Sequence, residues 1–298
     1  MQSFGINIDY QKFIERNFLI KNKEGKIVPF ILNKVQDEYL IDLYRHYGSE
    51  MRGVRDMVLK ARKEGFSALI MGIFATDFIL ADSPIANVTI SDTKDETRKL
   101  FKRATFFIES MLVKKNQTLD NLCETANVNE LRNKHNGAVW WIGTAGAKAA
   151  LRTETVQNIH FSEGAHFPDT DIITARETYE GAMQMVDQGI GKIFDESTAR
   201  GWGNHYQERW ELALQGGSEF RAMFFGAERI YSKEWLVRKR TQFTTEAMFK
   251  QEYPSTPEEA FMASGSKFFD SGALSWLKDD MVKKPLVEGN LTEQGEFI

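Results

Sequence analysis

Residues 54–81 read Val54-Arg55-Asp56-Met57-Val58-Leu59, then Lys60-Ala61-Arg62-Lys63-Glu64-Gly65-Phe66-Ser67, then ALIMGIFATDFILA over 68–81. The first run is short and mostly apolar, the size of a strand; the last is long and apolar nearly throughout, the size of a buried helix. Between them lies a basic turn with one glycine and a serine. Strand, glycine turn, serine, helix is the setting of a phosphate-binding loop. A helix N-terminus offers unpaired backbone N–H groups and a positive dipole end to an anion. Gly65 lets the backbone approach phosphates, and Ser67 would place a hydroxyl on Mg2+. The standard loop, G-x-x-x-x-G-K-S/T, has a lysine before the hydroxyl residue. Here Phe66 stands there, which leaves Lys60 and Arg62 as the cations for phosphate. Taken alone, a basic strand-to-helix turn accounts for the segment at least as well.

Working outward, short apolar runs recur at 86–90, 137–143, 155–161, 192–195 and 220–225, with amphipathic stretches at 92–115 and 172–187 between them. That alternation predicts βαβ units: an α/β fold whose mostly parallel sheet is flanked by helices. Residues 1–53 are polar and helix-prone and read as an N-terminal helical extension. The expected organisation is thus an extension over 1–53, a core over 54–265 and a tail over 266–298. The net charge is 38 − 42 = −4, so bulk charge does not attract nucleic acid and any such contact needs a local patch. The basic pair Lys114-Lys115 and the run Arg238-Lys239-Arg240 read as solvated faces. The lone Cys123 excludes an internal disulfide and reads as a packing residue. No secretory signal is seen at the start, and the 68–81 run contains Asp77 and falls short of the ~20 residues a bilayer span needs. A soluble, intracellular protein is expected. His160 and His166 have no further His or Cys at ligand spacing, so zinc is not expected. Asp270, Asp279 and Asp280 read as a solvated helix face.

A second chemical feature is Val156-Gln157-Asn158-Ile159-His160-Phe161-Ser162-Glu163, an extended run with an acid at its tip. In P-loop ATPases such a tip carries an aspartate for the metal and a residue that positions the attacking water. Glu163 holds the second position. Ser162 replaces the aspartate, and a neutral hydroxyl is the poorer metal partner. With the loop upstream, a functional role for Glu163 is favoured over a surface acid. The next run ends in Ser197-Thr198-Ala199-Arg200-Gly201. Its hydroxyls either sense a γ-phosphate or form an ST-turn before the following helix, and spacing gives the two equal weight.

Together these stretches resemble the ATPase domain of the large terminase subunit of tailed bacteriophages, the DNA-packaging motor. KARKEGFS at 60–67 is similar to that family's deviant loop, K-A-R-x-x-G-F/W/Y-S. VQNIHFSEGAHFPD at 156–169 resembles its Walker B region, including a variant with serine for aspartate. ESTARGWGN at 196–204 is similar to its coupling motif, and Leu32-Asn33-Lys34-Val35-Gln36 to its upstream Q motif. EYPSTPEEAF at 252–261 resembles a segment that precedes the family's nuclease domain.

The resemblance implies a P-loop fold of the ASCE (RecA-like) kind and an ATP hydrolase that drives double-stranded DNA into a procapsid, with ATP and Mg2+ as cofactors. Lys60 would contact the β- and γ-phosphates, with Arg62 a second cation in cis. Ala61, Lys63, Glu64, Gly65, Phe66 and Ser67 would cradle phosphate and metal, with Ser162 also at the metal. Glu163 would orient water, Thr198 and its neighbours would couple hydrolysis to movement, and the Gln36 amide would read adenine. Arg152 matches an arginine that reaches a neighbour's ATP; a surface or DNA-facing role carries equal weight. Implied partners are double-stranded DNA, the portal protein, the small terminase subunit and further copies in a ring on the procapsid. The isolated chain would be largely monomeric, off the membrane, in the host cell cytoplasm. The chain ends about where the nuclease domain would begin, so no nuclease site is expected. The alternatives are another ASCE nucleic-acid ATPase, such as half a helicase, and a non-catalytic nucleotide-fold interaction module.

Overall fold

The computed structural model describes residues 8–127, 129–146, 156–170, 174–187 and 189–262. The chain opens with α1 (Tyr10–Asn17), an antiparallel hairpin of β1 (Leu19–Lys21) and β2 (Ile27–Pro29), and α2 (Lys34–Tyr47). Then come β3 (Arg55–Lys60), α3 (Phe66–Leu80), β4 (Ala86–Ser91) and α4 (Lys94–Val113). A short α5 (Leu119–Leu122) leads into β5 (Cys123–Ala126), β6 (Glu130–Asn133) and β7 (Val139–Thr144). The remainder is β8 (Asn158–Ser162), α6 (Ala175–Met183), β9 (Lys192–Ser197), α7 (His205–Leu214), β10 (Arg221–Phe225), α8 (Lys233–Arg240), α9 (Glu246–Glu252) and α10 (Pro257–Met262).

Eight strands form one sheet in the order β10-β3-β9-β8-β4-β7-β6-β5. Pairing is parallel from β10 through β7 and antiparallel across β7, β6 and β5. Parallel strands covered on both faces bury every position, and β3, β8 and β9 do so. β9 lies between the loop strand β3 and the acid strand β8, so those two strands never pair directly.

Alternation along these strands sorts side chains between two cores. On one face Val58 and Phe194 join α1, α2, α3 and α4. On the other Met57, Leu59, Ile159, Phe161 and Ile193 pack with Tyr179, Tyr206, Trp210 and Phe261. α3 is buried almost all round because it lies inside the first core, which is why its sequence lacks a polar stripe. The N-terminal segment shares that core: Phe18 and Phe30 stack on Phe107 of α4 at 5.3 and 5.4 Å. Each ring buried in this way contributes roughly 1.5–3 kcal/mol, enough to fasten a short hairpin that has little pairing of its own. Buried ion pairs add register. Arg221 forks onto Asp56, and Lys192 meets Asp77 at 2.8 Å where the Tyr10 hydroxyl also donates.

All six strands expected from the sequence are present, with ends shifted by up to three residues. The β1–β2 and β5–β6 hairpins were not expected; they are short and half exposed, so their polar residues hide the strand pattern. Residues 263–298, with the expected tail and Asp270, Asp279 and Asp280, lie outside the described residues. Among the described residues no helix is long and apolar enough to cross a membrane.

Candidate active site

The loop between β3 and α3 uses two left-handed residues, Lys63 (φ 61°) and Gly65 (φ 92°). It is braced from both flanks. On one side Asn33 Nδ2 donates to the Glu64 carbonyl at 2.9 Å and Gln36 Nε2 to the Gly65 carbonyl at 2.7 Å. On the other the Tyr231 hydroxyl donates to the Arg62 carbonyl, and the Arg62 N–H donates to the Glu252 carbonyl, both at 2.9 Å. A Cβ at Gly65 would fall 2.7 Å from Gln36 Nε2, so both the backbone angle and the close brace require glycine. Phe66 is fully buried against Tyr39 and Phe225, at 5.3 and 4.7 Å. A lysine at that position would enter the core. Any phosphate cation would therefore have to come from elsewhere, and the last residue of β3 is Lys60.

Lys60 is 4% exposed and sits between two acids. Its Nζ is 2.9 Å from Glu163 Oε1 and 3.2 Å from Glu196 Oε2. Burial opposes the ammonium charge, but the two carboxylates outweigh it and hold the Lys60 pKa above the ordinary lysine value. Glu196 is completely buried. Burial alone would raise its pKa; Lys60, His160 and the Ser67 hydroxyl together lower it, so it stays ionised. Its Oε1 accepts from Ser67 Oγ at 2.7 Å and Ser162 Oγ at 2.9 Å, with His160 Nε2 at 3.3 Å. Glu163 follows β8 in left-handed backbone, φ 57° and ψ 48°. For a non-glycine residue this stores about 1–3 kcal/mol, held here by surrounding bonds. Its N–H donates to the Glu196 carbonyl, and Oε2 accepts from the Thr198 N–H at 3.1 Å and hydroxyl at 3.3 Å. His166 Nε2 lies 3.0 Å from the same hydroxyl; burial lowers the His166 pKa.

The fold thus gathers Lys60, Ser67, Ser162, Glu163 and Thr198 at the C-terminal ends of β3, β8 and β9 and the start of α3. That is the edge where open α/β sheets bind ligands. It does not bring in Arg62, whose half-exposed guanidinium pairs with Glu252 of α9 at 2.7 Å. Lys63 is exposed and Ala61 packs under the loop near Tyr231 and Tyr253. Gln36 is buried with both amide ends engaged: Nε2 holds the loop and Oε1 accepts from the Asn33 N–H in a capping box. In this conformation it braces the loop. The Ser162 hydroxyl is directed to Glu196. Arg152 lies outside the described residues. Glu196 and Asn33 received no role from the sequence, although each stands inside a motif that was read.

Glu64 is buried in the loop with neither carboxylate oxygen hydrogen-bonded. Burial, only partly offset by Lys60 and Arg229, pushes its pKa up to about 8. A carboxyl whose folded pKa is raised binds its proton more tightly folded than unfolded. It therefore withdraws stability as pH climbs from about 4.5 towards about 8. Glu64→Gln is expected to leave the melting temperature nearly unchanged at pH 5 and to raise it at pH 8.5, the gain being on the order of a few kcal/mol. Melting curves of both proteins at the two pH values check this, and an equal offset at both would refute it.

Neither a protein-family model nor a curated protein matches the sequence. Solved structures do match. The Thermus phage P74-26 large terminase ATPase domain superposes with a TM-score of 0.50 at 16% identity, over 69% of this chain and 90% of that one. The large terminase of bacteriophage HK97 gives 0.62 at 12% identity, over 93% of this chain and 59% of that one. The chain has the fold of a large terminase ATPase domain. A third large terminase, from a thermophilic bacteriophage and solved in complex with ATP-γ-S, gives 0.52 at 11% identity over 74% of this chain and 51% of that one. This chain thus spans little more than half of the HK97 terminase and of the ATP-γ-S-bound one. At such identities the terminase likeness is one of fold, and side-chain roles rest on the local geometry.

Proposed function

We propose that the chain is the ATPase of a viral DNA-packaging motor, hydrolysing ATP to move double-stranded DNA into a procapsid. The observation that carries this reading is the placement of Lys60 between Glu163 and Glu196, beside Ser67, at the helix N-terminus. A buried cation held by two acids at an anion-binding helix end is a phosphate site with its counter-charges in place. Lys60 then binds the β- and γ-phosphates after leaving Glu163. The released Glu163, the more open of the two acids, orients the attacking water, and its bond to Thr198 links that event to the segment entering α7. The ATP-γ-S complex of one structural neighbour supports a nucleotide as ligand.

The donor set also fits Mg2+. The groups near the phosphate position are oxygens, and the Ser67 proton is committed to a carboxylate, leaving the hydroxyl lone pairs for a cation. When bound, the cation would neutralise charge on the β- and γ-phosphates, with Ser67 as its loop ligand. The partners on this reading are double-stranded DNA, the portal protein, the small subunit and like copies in a ring, in the host cytoplasm. The test is Mg2+-dependent ATP hydrolysis by the chain with and without double-stranded DNA. Stimulation by DNA is expected. Absence of nucleotide binding would overturn the reading, and hydrolysis indifferent to DNA would remove the translocating role.

A further inference from the structure

The acid strand lacks the carboxylate that its place in the site calls for. β8 ends in Ser162, and in the parallel register Ser162 stands directly beside Glu196 of β9. Both residues, with His160 two positions earlier, project to the face where α3 packs: Phe74 of α3 meets the His160 ring edge-on at 6.2 Å. At this level of the sheet the carboxylate has therefore moved one strand sideways, from β8 to β9, towards the loop strand. The Ser67 hydroxyl reaches it at 2.7 Å and the Ser162 hydroxyl at 2.9 Å.

We propose that Glu196 is the metal-directed carboxylate of this site, supplied from β9 in place of an aspartate on β8, and that Ser162 positions it rather than ligating the metal. The inference rests on the nucleotide-site reading above.

Three observations converge on it. Both hydroxyls that the sequence put at the metal converge on the same oxygen, Glu196 Oε1. The other oxygen, Oε2, is buried and takes no hydrogen bond; the Lys60 ammonium faces it at 3.2 Å, and the charge of the partly buried Arg103 acts on the carboxylate without an ion-pair contact. A completely buried carboxylate left with an unused oxygen is costly unless a cation completes it. Lys60 serves as that contacting cation here, and another is needed once Lys60 turns to phosphate. The chemistry also selects the ion. One carboxylate and one hydroxyl make an incomplete oxygen set, which suits Mg2+, an ion that keeps waters and takes the rest of its shell from substrate phosphates. Among the described residues no cluster of three or more His, Cys, Asp or Glu could hold a metal by itself, so the nucleotide must complete the shell.

The experiment measures binding, not turnover. ATP-γ-S affinity is determined by calorimetry in Mg2+ and in EDTA, and Mn2+ is followed by electron paramagnetic resonance in the presence of ATP-γ-S. In the unsubstituted chain Mg2+ tightens ATP-γ-S. Glu196→Gln, near in shape, is expected to hold or tighten the EDTA affinity, because it also loosens Lys60, and to lose roughly 10–100-fold of the metal-dependent gain, with weaker Mn2+ binding. Ser162→Asp added to Glu196→Gln returns a carboxylate to β8 and is expected to recover part of the gain. EDTA affinity in each variant doubles as the check that the loop is folded. A full metal-dependent gain in Glu196→Gln overturns the assignment to Glu196 while leaving the nucleotide reading intact. If the unsubstituted chain binds no ATP-γ-S with or without metal, the nucleotide reading itself falls, and this assignment with it. Should Glu196→Gln fail to fold, Glu196→Asp replaces it, and an unchanged metal-dependent gain there, with the carboxylate drawn back by one methylene, counts against the proposal.

Discussion

Lys60→Ala is expected to abolish ATP hydrolysis and, at pH 7, to destabilise the fold by about 3–5 kcal/mol, the usual cost of breaking a buried ion pair by removing one partner. Catalytic loss follows because no other described cation of the loop faces the site: Arg62 pairs with Glu252 and Lys63 is exposed. The stability loss follows because Glu196, completely buried, is left without the counter-charge that contacts it at 3.2 Å. Its pH dependence identifies the cause. In the unsubstituted chain Lys60 has a pKa raised above 10.5, so its contribution is present below that pH and is lost only as pH rises through the higher folded value. Glu196 has a lowered pKa, so its contribution is present above 4.5 and is lost as pH falls towards about 2. Between those limits the pair is fully formed. Without Lys60 the largest influence opposing burial is gone from Glu196, and protonation relieves the cost that remains. The gap between the two proteins should therefore narrow from pH 7 to pH 5 in urea denaturation. A gap independent of pH would mean that lost packing, not an orphaned carboxylate, is responsible. The double variant Lys60→Met/Glu196→Gln should be more stable than Lys60→Ala, since it removes both charges.

Glu163→Gln is expected to lower turnover by about two orders of magnitude or more while ATP-γ-S affinity holds or tightens. The carboxylate has two tasks in this structure. It holds Lys60 at 2.9 Å, where on the proposed reading it would compete with phosphate, and it takes hydrogen bonds from Thr198. Removing the charge weakens the competition, so the ground state gains, whereas orientation of water is a transition-state task and is lost. Single-turnover hydrolysis and calorimetric binding separate the two quantities. Parallel losses in both would assign Glu163 a structural role, acting through its left-handed backbone and the Thr198 bonds.

How much of this was legible beforehand differs between scaffold and site. The six parallel strands stood out because strands covered on both faces are continuous apolar runs. The β1–β2 and β5–β6 hairpins did not, since Ile27 is exposed and β5 alternates polar residues along an edge. α3 could be placed to within two residues because its apolar run follows a glycine turn. Lys60, Ser67 and Glu163 were legible from the order of loop and acid strand. Glu196 was not, because an acid inside ESTARGWGN carries no sign of which strand its own strand will join. The available signal was the serine at position 162: a site that needs a carboxylate and lacks it on one strand invites a search of the neighbouring strand tip. Gln36 was read through the resemblance as a glutamine that reads adenine, and sequence cannot show that both ends of its amide are engaged by the loop and the capping box. Phe66 became intelligible only with Tyr39 and Phe225 around it, elements far apart in the chain.

β9 carries Asp195 and Glu196 in succession, and the pleat sends them to opposite faces. Asp195 meets Tyr179 and Arg209 on one side, while Glu196 meets Lys60 and Ser67 on the other. A strand of this kind has no tolerance for insertion or deletion between its start and Glu196. A shift of one residue would exchange the two acids between the faces, presenting the shorter side chain to Lys60 and the longer one to Arg209. Substitutions could still accumulate singly at the positions around them. Length changes in the line of descent are thus confined to the connections on either side of β9, and an alignment of relatives should place its gaps there and never between Lys192 and Glu196.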